Sequence, residues 1–267
     1  MAGSAASAAA APRHAVGFFD SGVGGLSVAR AFLRLRPGAR VLYTADWAFC
    51  PYGARPDAEI LARSREVLAG LVALGARLAV VACNSASAVA LETLRAENPG
   101  LPIVGMEPAV KPAAALSRTG AVGILATAHT LRGRLFRETS ARFASGVRVV
   151  PAVGEGFVEL VESGDLSSPA ARATVERVLA PLLAANCDPI VLGCTHYPFL
   201  LPLLREAAPG TTFLDPSEAV ARRAAALYDA LPAEADARAA AKAAATAPGS
   251  AALEKAETTE TPSTPCA

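Results

Sequence analysis

Two cysteines sit in surroundings that repeat. Ala79-Val80-Val81-Ala82-Cys83-Asn84-Ser85-Ala86 and Pro189-Ile190-Val191-Leu192-Gly193-Cys194-Thr195-His196 each run from an apolar segment through Ala or Gly to Cys, then to small polar residues. The pattern predicts a strand that ends at the thiol and a helix that begins after it. A thiol at the carboxyl end of a parallel strand lies where open α/β sheets bind ligands. A helix N-terminus beside it lowers the thiol pKa and favours the reactive thiolate. A buried cysteine is ordinarily a small core hydrophobe. Position at a strand end, hydrogen-bonding neighbours and duplication set Cys83 and Cys194 apart from that role. Two thiols facing each other across a cleft suit removal of a proton from one face of a substrate and its return to the other.

Other residues are placed to serve the same cleft. His196, just beyond Cys194, can polarise that thiol or feed it protons. The turn Asp20-Ser21-Gly22-Val23-Gly24-Gly25-Leu26-Ser27 partly matches a dinucleotide fingerprint, with Asp46 at the next strand end as a ribose contact. Ser27 replaces the third glycine, however, and an aspartate precedes the turn. No lysine follows, which excludes a phosphate-cradling Walker loop. The better reading is a helix N-terminus serving as an anion site, with Asp20 pointing into the same cleft. Composition alone places Glu162 toward solvent and Cys50 as a packing residue at the cleft rim. His129 follows another strand end, near the cleft.

The elements that must position these residues alternate. Strands are expected at 15–19, 40–44, 78–82 and 102–105, with helices at 26–35, 56–74 and 85–96 between them. The second half repeats the plan. It has strands at 120–126, 146–151, 190–193 and 211–214, and helices from about Leu131, at 157–162, 169–185 and 200–208. A last amphipathic helix covers 217–231. Strands alternating with helices imply βαβ units and mainly parallel sheets, an α/β fold. Residues 1–14 read as a disordered extension and 232–267 as a disordered tail, with Cys266 in it.

Composition narrows the function classes. The chain has 267 residues, 52% of them hydrophobic, and a formal net charge of +1. That is ample for a packed core and gives no field that marks a nucleic-acid binder. Five cysteines, irregularly spaced, form no disulfide framework and fit reduced thiols in a cytoplasmic protein. Cys194-Thr195-His196 lacks a second ligand cluster at zinc-finger spacing, so no metal site is expected. No apolar run approaches a membrane span of roughly 20 residues.

Four motifs together resemble the cofactor-independent glutamate racemases of the aspartate/glutamate racemase superfamily. They are Asp20-Ser21-Gly22-Val23-Gly24-Gly25-Leu26, Pro51-Tyr52-Gly53, Ala82-Cys83-Asn84-Ser85-Ala86 and Gly193-Cys194-Thr195-His196-Tyr197-Pro198. The resemblance runs from about Val16 to Tyr228. It implies two pseudo-symmetric α/β domains, 15–106 plus 215–231 and 107–214, with the active site at their interface. It implies L-glutamate to D-glutamate interconversion without a cofactor, supplying D-glutamate for peptidoglycan. Cys83 would work on the D-isomer's α-hydrogen and Cys194 on the L-isomer's. Asp20 would assist Cys83, His196 would assist Cys194, and Glu162 would orient His196. Ser21, Tyr52, Gly53, Asn84, Ser85 and Thr195 would hold the substrate, with help from Asp20, Thr127, Thr130 and His196. A homodimer is implied as well.

Some positions depart from the family pattern. Ser85 stands where Thr is usual, Gly154-Glu155 where Cys-Pro is usual, and Glu159 where an apolar residue or Pro is usual. His129 stands where Gly is common. Both thiols are kept. Two other readings stay open at the level of sequence. One is a racemase of aspartate or a related substrate. The other is a non-catalytic binding partner, for example of DNA gyrase. Retention of both thiols with Asp20 and His196 favours the enzyme.

Overall fold

The computed structural model describes residues 14–107, 109–143 and 146–232. The expected extension up to residue 13 and the tail from 233, including Cys266, lie outside the described residues. The first half runs β1 (Ala15–Asp20), α1 (Leu26–Leu35), β2 (Arg40–Ala45), α2 (Asp57–Ala73), β3 (Ala76–Val81), α3 (Asn84–Glu97) and β4 (Ile103–Gly105). After α4 (Val110–Leu116) come β5 (Ala121–Ala126), α5 (Ala128–Arg132), α6 (Arg134–Phe143), β6 (Arg148–Val153), α7 (Phe157–Ser163) and α8 (Pro169–Ala184). The chain then forms β7 (Ile190–Gly193), α9 (Leu201–Ala207), β8 (Phe213–Leu214) and α10 (Ser217–Asp229).

Among the described residues the strands form two four-stranded sheets, ordered β2-β1-β3-β4 and β6-β5-β7-β8, with every pair parallel. The two orders are the same, strand for strand. In each, the chain steps to one side of the first strand and then crosses to the other. This creates a switch point between β1 and β3, and another between β5 and β7. Ligands of open parallel sheets bind beyond the carboxyl ends at such points. Asp20 closes β1, Cys83 follows β3, Thr127 follows β5 and Cys194 follows β7. The site is therefore set by topology before any side chain is considered.

Burial explains the strands. Apart from the exposed Arg77 and the terminal Asp20, β1 and β3 are apolar, and their Val16, Phe18, Phe19, Leu78, Val80 and Val81 are wholly buried, as sheets covered on both faces require. α1 turns Val28, Ala29, Ala31 and Phe32 inward. The Phe32 ring lies 5.4 Å from Phe18 and edge-on to Tyr228 of α10 at 5.8 Å. Thus the last helix packs back on the first sheet's side of the molecule. α8 starts where Ser168 accepts a hydrogen bond from Ala171 N–H and Pro169 occupies the first turn.

Three details differ from the sequence expectation. The helix expected from Leu131 begins earlier, because the Thr127 hydroxyl caps it by accepting from Thr130 N–H at 3.2 Å. It also stops at Gly133, and α6 is a separate helix. α4 was not expected, since Pro112 hides its pattern. A proline in the first turn of a helix removes no intrahelical bond. α10 ends at Asp229, short of Leu231.

Candidate active site

A cavity of about 330 Å³ lies at the strand ends. It is lined by Asp20, Ser21, Tyr52, Gly53, Cys83, Asn84, Ser85, Thr127, Cys194, Thr195 and His196, all singled out from sequence. The volume is near the bottom of the ~300–1,000 Å³ range of ligand pockets, so it suits a small molecule better than a dinucleotide. Two expected residues stand behind the wall. Thr130 is buried and bonds the Thr127 hydroxyl at 3.0 Å. Glu162 is half-buried behind His196. Gly154, Glu155, Glu159 and Tyr197 line the cavity as well. The motif departures at Gly154, Glu155 and Glu159 were their only sequence signal, and Tyr197 stood within a motif without a role.

One side of the cavity is built on a relay. Cys194 Sγ lies 3.7 Å from His196 Nδ1, and His196 Nε2 lies 2.5 Å from Glu162 Oε1. Burial pulls the imidazolium pKa down. The bonds to Cys194 and Glu162, with the charges of Cys194 and Asp20, outweigh it and push His196 up to about 11. His196 is then an imidazolium at neutral pH, donating from both nitrogens. Glu162 is not solvent-facing, contrary to its composition. It accepts from Val23 N–H at 2.8 Å and from Trp47 Nε1 at 3.1 Å, besides His196. Burial would raise its pKa, but the bonds from His196 and Val23 hold it below the usual glutamate value.

The glycine-rich turn does other work than the sequence suggested. Asp20 Oδ1 accepts from Ser21 N–H and Oδ2 from Gly25 N–H, both at 2.7 Å. Val23 N–H is taken by Glu162. The turn binds the protein's own carboxylates, so the expected substrate-anion site at these N–H groups is not available. Glycine is required because the turn presses on the relay. A Cβ at Gly24 would lie 2.4 Å from His196 Nδ1, and one at Gly22 would lie 1.8 Å from Glu162 Oε1. Asp46 is likewise occupied, by the Tyr52 hydroxyl at 2.6 Å and by Arg63, which leaves no ribose contact.

The other side of the cavity is built around Cys83. It precedes α3 as expected, and Ala86 N–H favours its thiolate. Burial and the Asp20 charge win, and they raise the thiol pKa well above its ordinary value. The expected lowering by the helix N-terminus is overturned here, because a few tenths of a charge at a helix end compete with desolvation and a full carboxylate. Asn84 beside it has both side-chain polar atoms buried without a partner. Such groups are rare and each calls for a ligand or water.

Several bonds cross between the two halves around this cavity. Thr195 Oγ1 donates to Asp20 Oδ2 at 3.1 Å, and Ser85 Oγ meets Thr127 Oγ1 at 3.1 Å. His129 reaches Gly53 O at 2.9 Å and Asp57 Oδ1 at 3.0 Å. His129 thus pins the Tyr52–Ala54 turn to α5 instead of entering the cavity.

Two thiols, a carboxylate and an imidazolium around a small cavity at paired switch points define an α/β enzyme of acid–base chemistry. The chain belongs to the Asp/Glu/Hydantoin racemase family, whose model matches residues 27–224. It is 50% identical over 211 residues to the glutamate racemase of Roseiflexus sp. (strain RS-1), covering 79% of this chain and 78% of that protein. It is 49% identical over 210 residues to the glutamate racemase of Pseudomonas aeruginosa, covering 78% and 79%. Escherichia coli glutamate racemase, solved with L-glutamate and the activator UDP-MurNAc-Ala, superposes with a TM-score of 0.76 at 39% identity over 82% of this chain and 83% of that one. The enzyme of Thermus thermophilus, solved with β-chloro-D-alanine, gives 0.69 at 35% identity over 82% of each chain. Among the described residues no helix is long and apolar enough to cross a membrane.

Proposed function

We propose that this chain interconverts L- and D-glutamate without a cofactor, using Cys83 and Cys194 as paired acid and base. The observation that carries the reading is the placement of the two thiols at equivalent switch points while lining one cavity. The relatives named above support glutamate as substrate.

The two thiols have different surroundings. Burial and Asp20 keep Cys83 protonated, and the His196 imidazolium faces Cys194 at 3.7 Å. The form with Cys194 as thiolate and Cys83 as thiol is the one that works on L-glutamate. The Cys194 thiolate takes the α-proton from one face, and the Cys83 thiol delivers a proton to the other. The product leaves with the two protonation states exchanged, which is the form ready for D-glutamate. The α-proton is weakly acidic, so the carbanion-like transition state needs preorganised donors and exclusion of water. Asn84, Ser21, Ser85, Thr127, Thr195 and the Gly53 backbone hold the carboxylates and ammonium. Tyr52 contributes its ring, since its hydroxyl is given to Asp46. Thr130 acts through Thr127, and Glu162 is a positioning residue for His196. The halves 15–106 with 215–231 and 107–214 form the two walls. A homodimer, a cytoplasmic location and supply of D-glutamate to peptidoglycan belong to the same reading.

Incubation of L-glutamate in D₂O without added cofactor, followed by chiral separation, tests the proposal. D-glutamate carrying deuterium at Cα is the expected product. Turnover of aspartate in place of glutamate would move the assignment to that substrate, and turnover of neither would overturn it.

Gly22→Ala tests the positioning role of Glu162. The new Cβ meets the flexible end of Glu162 and comes within 3.1 Å of Cys50 Sγ, both side-chain ends that can shift, so the fold adjusts while the carboxylate leaves His196. A hydrogen bond to a charged group is worth about 1.5–3 kcal/mol, so kcat is expected to fall about ten- to hundredfold with little change in Tm. Unchanged kcat would remove Glu162 from the relay.

A further inference from the structure

Cys50 is a third thiol at this site, and the mechanism above leaves it unused. It comes from the loop after the short turn Trp47–Phe49 and is half-buried against the core of the second sheet. One ligand atom each from Cys50, Glu162 and His196 lie within 4.8 Å of one another. A Cβ built on Gly22 would lie 3.1 Å from Cys50 Sγ and 1.8 Å from Glu162 Oε1, so the bare glycine lets both side chains approach the same backbone position. Sulfur, nitrogen and oxygen donors thus converge from three elements that are remote in sequence, which is why spacing alone gave no metal signal.

We infer that Cys50, Glu162 and His196 form a site for a borderline-soft divalent cation such as Zn²⁺, whose occupation inhibits the enzyme. The donor set is one that zinc accepts, with water in the fourth position. Zinc bonds of about 2.3 Å to sulfur and about 2.0–2.2 Å to nitrogen and oxygen require the three side chains to draw together modestly. Binding breaks the S–H bond of Cys50 and one N–H bond of His196, forms three metal–ligand bonds and releases two protons to solvent. The cation separates His196 from Glu162 and withdraws it from the relay to Cys194. The inhibitory half of the inference rests on the proposed function, whereas binding does not.

Cobalt reports binding without reference to turnover. Titration of the reduced, full-length chain with Co²⁺ is expected to give a thiolate-to-cobalt charge-transfer band that saturates at one equivalent and is displaced by Zn²⁺. Cys50→Ser should abolish the band, keep the racemisation rate and weaken Zn²⁺ inhibition at least about tenfold, a conservative figure for a lost ligand. Cys194→Ala should retain the band, which separates this site from the Cys194–His196 pair. Absence of the band in the native chain, its persistence in Cys50→Ser or its loss in Cys194→Ala would each overturn the site. A native band with no Zn²⁺ inhibition would overturn the regulatory half alone. Failure of glutamate turnover leaves the cobalt result to decide the site by itself.

Discussion

Replacing either thiol with alanine is expected to lower racemisation by about 10²- to 10⁴-fold or more, the range over which a positioned acid or base accelerates proton transfer. Cys83→Ala and Cys194→Ala must do so equally in both directions when measured as kcat/KM. The two enantiomers have equal free energy in water, so the ratio of the two kcat/KM values stays at unity whatever is mutated. The asymmetry of the site therefore appears elsewhere, in solvent exchange without inversion. Cys83→Ala leaves Cys194 and its imidazolium, so it should exchange the α-hydrogen of L-glutamate with D₂O and leave D-glutamate untouched. Cys194→Ala leaves Cys83 beside Asp20 and should exchange the D-isomer alone. Exchange is read by mass spectrometry after chiral separation. Full racemisation in either variant would end the two-base proposal. Exchange of the opposite isomers would keep two bases and reverse their faces.

The parts of this site that were legible in the sequence are those fixed by local chain order. A strand, a thiol and a helix start are neighbours in sequence, so Cys83 and Cys194 could be placed at strand ends before the structure was known. The alternation of strands and helices gave the parallel sheets in the same way. What was misread depends on contacts between distant segments. Glu162 looks like an exposed helix residue because α7 alone gives it no partner. It acquires three donors only when Val23, Trp47 and His196 arrive from elsewhere. The glycine turn looked like a nucleotide or anion site because its free N–H groups are visible in sequence, whereas the carboxylates of Asp20 and Glu162 that occupy them are not. The pKa of Cys83 was expected to fall from the helix start alone, and it rises because burial and Asp20 are tertiary facts. Cys50 illustrates the same limit. Its approach to Glu162 and His196 has no trace in spacing.

Loss of the His196–Glu162 pair gives the second large effect, and its signature is in pH. Glu162→Gln keeps the size of the side chain but removes its charge. With one charge-assisted bond weakened, by about 1.5–3 kcal/mol, kcat/KM should fall about ten- to hundredfold in both directions. His196→Asn, which removes the proton carrier itself, should cost about 10²- to 10⁴-fold. The pH profile distinguishes a relay from mere support. In the native chain the imidazolium persists until pH approaches about 11, because Cys194, Glu162 and Asp20 outweigh burial. Without the Glu162 charge that proton is lost at lower pH, so the alkaline fall in kcat/KM should move down in Glu162→Gln. Stability follows the same two groups. His196 is raised on folding from its ordinary 6.5, so its stabilisation is complete below 6.5 and is lost as pH rises toward about 11. Glu162 is lowered from its ordinary 4.5, so its stabilisation is present above 4.5 and is lost as pH falls through its folded value. The pair therefore contributes most between pH 4.5 and 6.5. Denaturant titrations across pH should show the native chain's advantage over Glu162→Gln shrinking on both sides of that window. An advantage independent of pH, together with an unmoved alkaline limb, would reduce Glu162 to a packing residue and leave His196 without its anchor.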